Sequence, residues 1–268
     1  MRLQDRVGVQ ADHPALSVGL LTNTWRHTDP EPQHLQEVRV QGTPEALAIA
    51  CLGTGEYVPL HSPAVRASTL FAANPGAREA MSFFAKFDFG HMVSRFQGNV
   101  NLGLLVLAGF HEFRDGSPRS NHFSREFFYS ATGRRAEISR PAILEPDKGS
   151  RRLENSGLLG SWRNTNAASQ GVSTIEVSDR GEHIGVRAYG VVESGSRDWG
   201  EVSASVYAKD SSSPYAMAFS AAFSLDGIRC HLQANVKQGV LVIAYFTEFQ
   251  DGSGRSNYFA REFYYKET

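Results

Sequence analysis

Apolar and polar positions alternate over short runs along the whole chain, and no long helical period competes with them. In the first half the alternation predicts strands at Leu20 to His27, Gln36 to Gln41, Ala46 to Gly53, Arg66 to Ala72, Met81 to Phe89, Met92 to Asn101, Leu104 to Phe113 and Arg119 to Ser130. Breakers such as Asp29-Pro30, Gly42, Asn74-Pro75-Gly76 and Asp115-Gly116 separate the runs at short intervals, an all-β signal. The second half gives Leu159 to Thr165, Val172 to Asp179, His183 to Val192, Glu201 to Lys209, Tyr215 to Leu225, Ile228 to Lys237, Val240 to Phe249 and Arg255 to Lys266.

The two halves are copies. GLLVLAGFHEFRDGSPRSNHFSREFFY, from Gly103 to Tyr129, returns as GVLVIAYFTEFQDGSGRSNYFAREFYY from Gly239 to Tyr265, at an offset of 136 residues without a gap. So long a period means two copies of a whole domain. Eight sequential strands joined by short turns are best closed on themselves, because closure removes both edges. The fold expected is therefore all-β: two tandem eight-stranded antiparallel up-and-down barrels related by a pseudo-twofold. Residues 1–17 read as an N-terminal arm, 18–131 as barrel 1, 132–157 as a polar linker and 158–268 as barrel 2.

Composition narrows the partners. With 27 Lys and Arg against 28 Asp and Glu, no global field draws nucleic acid or an anionic membrane. No apolar run is long enough to span a bilayer and no leader pattern opens the chain, so a soluble, cytoplasmic protein is expected. The two cysteines, Cys51 and Cys230, lie at unrelated positions in the copies and read as buried small hydrophobes.

Gly160-Ser161-Trp162 on the first strand of copy 2 and Arg261 on its last resemble the signature of the calycin superfamily, the lipocalin-like and avidin-like barrels. Copy 1 keeps Trp25 and Arg125 but has Asn23 in place of the glycine. The resemblance implies that Trp25 packs under Arg125 and Trp162 under Arg261 at the closed end. It also implies a barrel that holds a small, mostly apolar molecule.

Positions that the copies share are expected to face inward. That test selects Phe83, Phe87, Phe219 and Phe223 on the fifth strands, and Phe110, Phe246, Glu112 and Glu248 on the seventh. Asn121 and Asn257 follow on the eighth, with Arg119 and Arg255 at the same rim. Glu112 and Glu248 are the candidate catalytic groups. They are either acids raised in pKa by burial or partners of the nearby arginines. The phenylalanines, asparagines and arginines are the candidate substrate-binding set. Trp199, in the loop into the fourth strand of copy 2, is either a stacking lid or a plug.

Barrel 1 gathers His27, His61, His91, His111 and His122 at its predicted rim, where barrel 2 has none. His111 and His122 are expected as cross-strand neighbours facing outward. No HxH or HExxH spacing supports a metal, and phosphate-loop, dinucleotide and nucleophile-elbow motifs are absent. No cofactor or metal is expected.

Three functions fit. The first is a cofactor-independent cyclase or isomerase acting on a small hydrophobic, natural-product-like substrate. The second is a non-catalytic carrier for such a ligand. The third is an interaction protein whose barrels are filled by its 17 phenylalanines. The enzyme is preferred because the two rims differ in ionisable content. A second copy of the chain is the only protein partner in view.

Overall fold

The computed structural model describes residues 15–55, 58–131, 152–193 and 195–267. Most of the expected arm (1–14) and linker (132–151) lies outside the described residues. The fold is all-β. Copy 1 supplies β1 (Asn23–His27), β2 (Leu35–Gln41), β3 (Ala48–Gly53), β4 (Val65–Arg66), β5 (Thr69–Ala72), β6 (Ala80–Asp88), β7 (Met92–Asn101), β8 (Leu104–Phe113) and β9 (His122–Ser130). Copy 2 supplies β10 (Gly160–Asn164), β11 (Val172–Asp179), β12 (Ile184–Val192), β13 (Gly195–Ala208), β14 (Ala216–Leu225), β15 (Ile228–Lys237), β16 (Val240–Phe249) and β17 (Tyr258–Lys266). Among the described residues no helix is long and apolar enough to cross a membrane.

Neighbouring strands pair antiparallel, and the pairing closes into a ring of hydrogen bonds in each half. β1 pairs both β2 and β9, and β10 pairs both β11 and β17. The single run expected at Arg66 to Ala72 is divided between two neighbours. Ala67 N–H donates to Leu47 of the β3 side, whereas Ser68 N–H donates to Phe84 of β6. Its counterpart β13 makes the same transfer without a break, pairing β12 through Ala204 and β14 from Ser205.

Contacts between the halves come in reciprocal pairs. Ala208 N–H donates to Asn121 O and Ala72 N–H to Asn257 O, at 2.8 Å each. Parallel bridges Ala208 to His122 and Tyr258 to Ala72 accompany them. At the start of each copy, Ser17 bridges Glu79 and Glu154 bridges Tyr215. The last residues of the expected linker therefore pack with copy 2.

Each ring has its own core. Trp25, Phe83, Phe87, Phe96, Leu105, Leu107 and Phe128 form the first, and Trp162, Phe219, Phe223, Leu241, Ile243, Tyr245 and Tyr264 the second. The interior position expected for Phe83, Phe87, Phe219 and Phe223 is thus observed. On β8, β9, β16 and β17 the face assignment is reversed. Phe110 packs with Phe123, Tyr207 and Ala218, and Phe246 with Phe71, Phe259 and Phe84, so both lie between the halves. The physical reason is that a reciprocal interface uses the same surface of each copy, so both copies keep it. Residues shared by the copies mark that surface, and the ring interiors are free to diverge.

The expected tryptophan–arginine contacts fail for the same reason. Trp25 is opposite Ser130 and Trp162 opposite Lys266. Arg125 and Arg261 stand five residues away along β9 and β17, an odd number, and so project from the opposite face. The cation over Trp162 is Lys266 Nζ, 5.6 Å from the ring centroid. Each indole N–H instead donates to a carbonyl of the preceding loop, Leu21 or Leu158, at 2.9 Å.

Candidate functional site

The interior of ring 1 contains a buried cluster of ionisable groups on the β8–β9 hairpin. Leu105, Leu107, Gly109 and His111 of β8 face inward, as do His122, Ser124, Glu126 and Phe128 of β9. The ladder sets His111 opposite His122, Gly109 opposite Ser124 and Leu107 opposite Glu126. The cross-strand pairing of the two histidines is as expected from the sequence, but their outward orientation is not: His111 is 0% exposed and His122 1%.

His111 is fixed at both ring nitrogens, with Ser94 Oγ 2.8 Å from Nδ1 and Ser124 Oγ 2.9 Å from Nε2. Gly109 makes this possible, because a Cβ there would lie 2.6 Å from both His111 Nε2 and Ser124 Oγ. His34, in the segment entering β2, stacks on His111 and His122 at centroid distances of 5.6 and 5.5 Å. The stack is closed by His111 on His122 at 4.6 Å.

Glu126 lies beside this stack, 7% exposed. Leu35 N–H donates to its Oε2 at 3.2 Å. His27 Nε2 stands 3.5 Å from Oε2, and His34 Nδ1 3.8 Å from Oε1. Oε1 accepts no hydrogen bond.

Burial dominates the electrostatics. It pushes the Glu126 carboxyl up to about 7, against the opposing hydrogen bond from Leu35 N–H. It pulls His34 down to about 4, aided by His27, and His122 down to about 3, aided by His34. His27 and His111 are lowered as well, again chiefly by burial. The arrangement is a neutral imidazole cluster next to a carboxyl poised between its two protonation states near neutrality. Among the described residues no group of three or more His, Cys, Asp or Glu is arranged to hold a metal ion.

The sequence-predicted site residues lie elsewhere. Glu112 is outside ring 1, paired with Arg95, and accepts from the Tyr207 hydroxyl across the gap between halves at 2.8 Å. Glu248 and Asn257 line a surface groove with Arg66 and Thr69. Arg119 pairs with Asp115 and lies 4.0 Å over Phe113, and Arg255 pairs with Asp251 and lies 3.8 Å over Phe249. Asn121 and Asn257 brace the same turns, accepting from Phe113 N–H and Phe249 N–H. Trp199 packs edge-on against Phe223, 5.6 Å between centroids, at the edge of the ring 2 core. Of the expected histidines, His27, His111 and His122 converge. His61 is exposed, and His91 has its Nδ1 3.2 Å from Phe89 O.

Glu126 and His34 were missed. The available signal was divergence within the repeat: at 109, 111, 122 and 124 copy 1 has Gly, His, His and Ser where copy 2 has Tyr245, Thr247, Tyr258 and Ala260. No protein-family model matches the chain, and no curated protein matches it.

Proposed function

We propose that each ring is an eight-stranded antiparallel barrel of calycin type, that the two are related by a pseudo-twofold, and that barrel 1 is a cofactor-independent isomerase or cyclase. The substrate class is a small, mostly apolar molecule that gains a proton at one atom and loses one at another. The observation that carries the reading is Glu126, a buried carboxyl with a free oxygen among neutral imidazoles. A group whose pKa is near the working pH can both donate and accept. Glu126 takes the substrate proton or supplies one, and His27 and His34 are placed to pass it on. Ser94 and Ser124 hold the His111 ring in one orientation. Access is from the side of His27 and His34, whose side chains remain 12% and 13% exposed. Phe87 and Phe96 are the apolar wall, with Phe96 edge-on to His111.

A second reading, a filled barrel whose polar cluster only specifies packing, is favoured by the complete burial of His111. To separate the two, purified protein is incubated with fractionated small-molecule extracts of its source, and mass-neutral conversions are followed by chromatography and mass spectrometry. The enzyme reading expects conversion by the wild type and by Glu112→Gln, and its loss in a folded Glu126→Gln. Conversion that survives in Glu126→Gln removes this carboxyl from the chemistry. No conversion by the wild type favours the filled barrel.

A further inference from the structure

The two arginines that the rings turn outward meet in the gap between the halves. Arg125 Nη2 donates to Asn235 Oδ1, and Arg261 Nη2 to Asn99 Oδ1, both at 2.9 Å. The Nε of each guanidinium is buried and makes no hydrogen bond, and neither does Gln233 Oε1. Between them is a cavity of about 10 Å³, lined also by Gln97, Phe110 and Phe246. Among the described residues no carboxylate forms an ion pair with either arginine. We propose that this cavity binds one monatomic anion, a halide such as chloride, held by Arg125 and Arg261 together.

Charge is the first argument. Guanidinium does not give up its proton in proteins, so two of them facing one another half-buried are stabilised by an opposite charge between them. Burial, and secondarily the facing Arg261, press the pKa of Arg125 down to about 10, and burial lowers that of Arg261. The Phe123 and Phe259 rings, each 5.4 Å from its neighbouring guanidinium carbon, attract the cations but do not neutralise them. Hydrogen bonding is the second argument. Two orphan N–H donors converging on one small space want a shared acceptor, because an unmade buried bond costs about 1–3 kcal/mol. A water would satisfy those donors and Gln233 Oε1 as well, but would leave the two half-buried charges without a counter-ion in the cavity. Size is the third argument: about 10 Å³ admits a single water-sized particle and excludes phosphate, sulfate or a carboxylate.

The repeat supports the site independently. Asn99 and Asn235, Gln97 and Gln233, Arg125 and Arg261, and Phe110 and Phe246 are identical pairs at the 136-residue offset. Each copy thus contributes the same half of the cradle.

Crystals soaked in sodium bromide, with data collected at the bromine edge, test the proposal without a variant. One anomalous peak within hydrogen-bond distance of both Nε atoms is expected. A map without a peak there, and with density refining as water, overturns it. In solution, sodium chloride replaces sodium gluconate at fixed ionic strength while Tm is recorded. The wild type should rise by about 2–4 °C, the response expected of a ligand that binds only the folded state. The double variant Arg125→Gln/Arg261→Gln should not respond, and an equal rise in both proteins would place the effect elsewhere.

Discussion

Rings 1 and 2 carry a glutamate at the same place in the repeat, and its neighbours make it a different chemical group in each. Glu262 accepts from the Tyr264 hydroxyl at 2.9 Å, from Asn164 Nδ2 at 3.0 Å and from the Ser169 hydroxyl. Tyr245 closes the network with its hydroxyl 2.6 Å from that of Tyr264. Glu126 faces His27 and His34 instead, and where Tyr245 fills the middle of ring 2, Gly109 leaves the space that His111 occupies. A carboxylate saturated with donors is a structural anchor. One flanked by neutral imidazoles keeps a proton in reserve. The two rings thus hold the same glutamate on different supports.

The comparison can be broken most forcefully with acid. His27, His34, His111 and His122 all have folded pKa values below 6.5, as does His231 between the halves. Groups depressed in the folded state contribute stability that is full above about 6.5 and is lost as pH falls through the folded values of about 4 and 3. Glu126 has the opposite sign. Its raised pKa favours the folded state below about 4.5 and costs stability as pH rises through about 7. One carboxyl cannot offset four or more imidazoles, so stability should fall steadily between pH 6.5 and 5, each imidazole that the fold keeps neutral contributing at most about 1.4 kcal/mol per pH unit. Urea titrations from pH 7.5 to 5 measure it. His122→Tyr, which installs the ring 2 residue, should flatten the slope, and an unchanged slope would mean that ring 1 is not the source.

The next effect should belong to ring 2. Tyr245→Ala removes a buried aromatic ring and a hydroxyl contact with Tyr264, at a cost of about 3–5 kcal/mol. Gly109, at the same place in ring 1, tolerates no added atom. Gly109→Ala should cost about 1–3 kcal/mol by displacing His111 from Ser124. Chemical denaturation gives both values, and the histidine's move would show as altered imidazole resonances. A Gly109→Ala protein with wild-type stability and spectra would mean that the pocket is not closed around His111.

Strand positions were readable from alternation: β7, β8, β15 and β16 lie where the apolar runs predict. Which face was inside was not. β8 is buried on both sides from Leu105 to His111, against its own core and against copy 2, so alternation in hydrophobicity disappears there. Identity between the copies does not mark the interior there, because a reciprocal interface keeps the same residues in both. Glu126 carried no local signal, since the same residue stands at Glu262. His34 sits in the Pro- and Gln-rich segment before β2, and copy 2 has Gly171 at the matching place, one residue before Val172 as His34 is before Leu35. Its place in the stack follows from ring closure.

Where the copies agree, paired substitutions should agree too, and the smallest effects are expected there. Arg119 and Arg255 each pair with the aspartate four residues earlier, donate to Ser117 or Ser253 at 2.9 and 2.8 Å, and lie over Phe113 or Phe249. The aspartate in turn accepts from the N–H two residues on, at 3.1 Å in copy 1 and 3.0 Å in copy 2. Each turn is thus built from residues of its own hairpin, and in copy 1 it reaches the ring interior through Phe113, which stacks on His122 at 5.7 Å. Half-exposed ion pairs of this kind contribute about 0–1 kcal/mol, and the ring contact adds about as much. Arg119→Ala and Arg255→Ala should therefore each cost about 1–2 kcal/mol, and only Arg119→Ala should also flatten the acid slope slightly, because the Arg119 charge helps to hold the His122 pKa down. A larger loss at Arg119 than at Arg255 would mean that the Phe113–His122 stack carries part of the turn's stability. The boundary between shared scaffold and specialised interior would then fall inside the hairpin rather than at its first ladder pair.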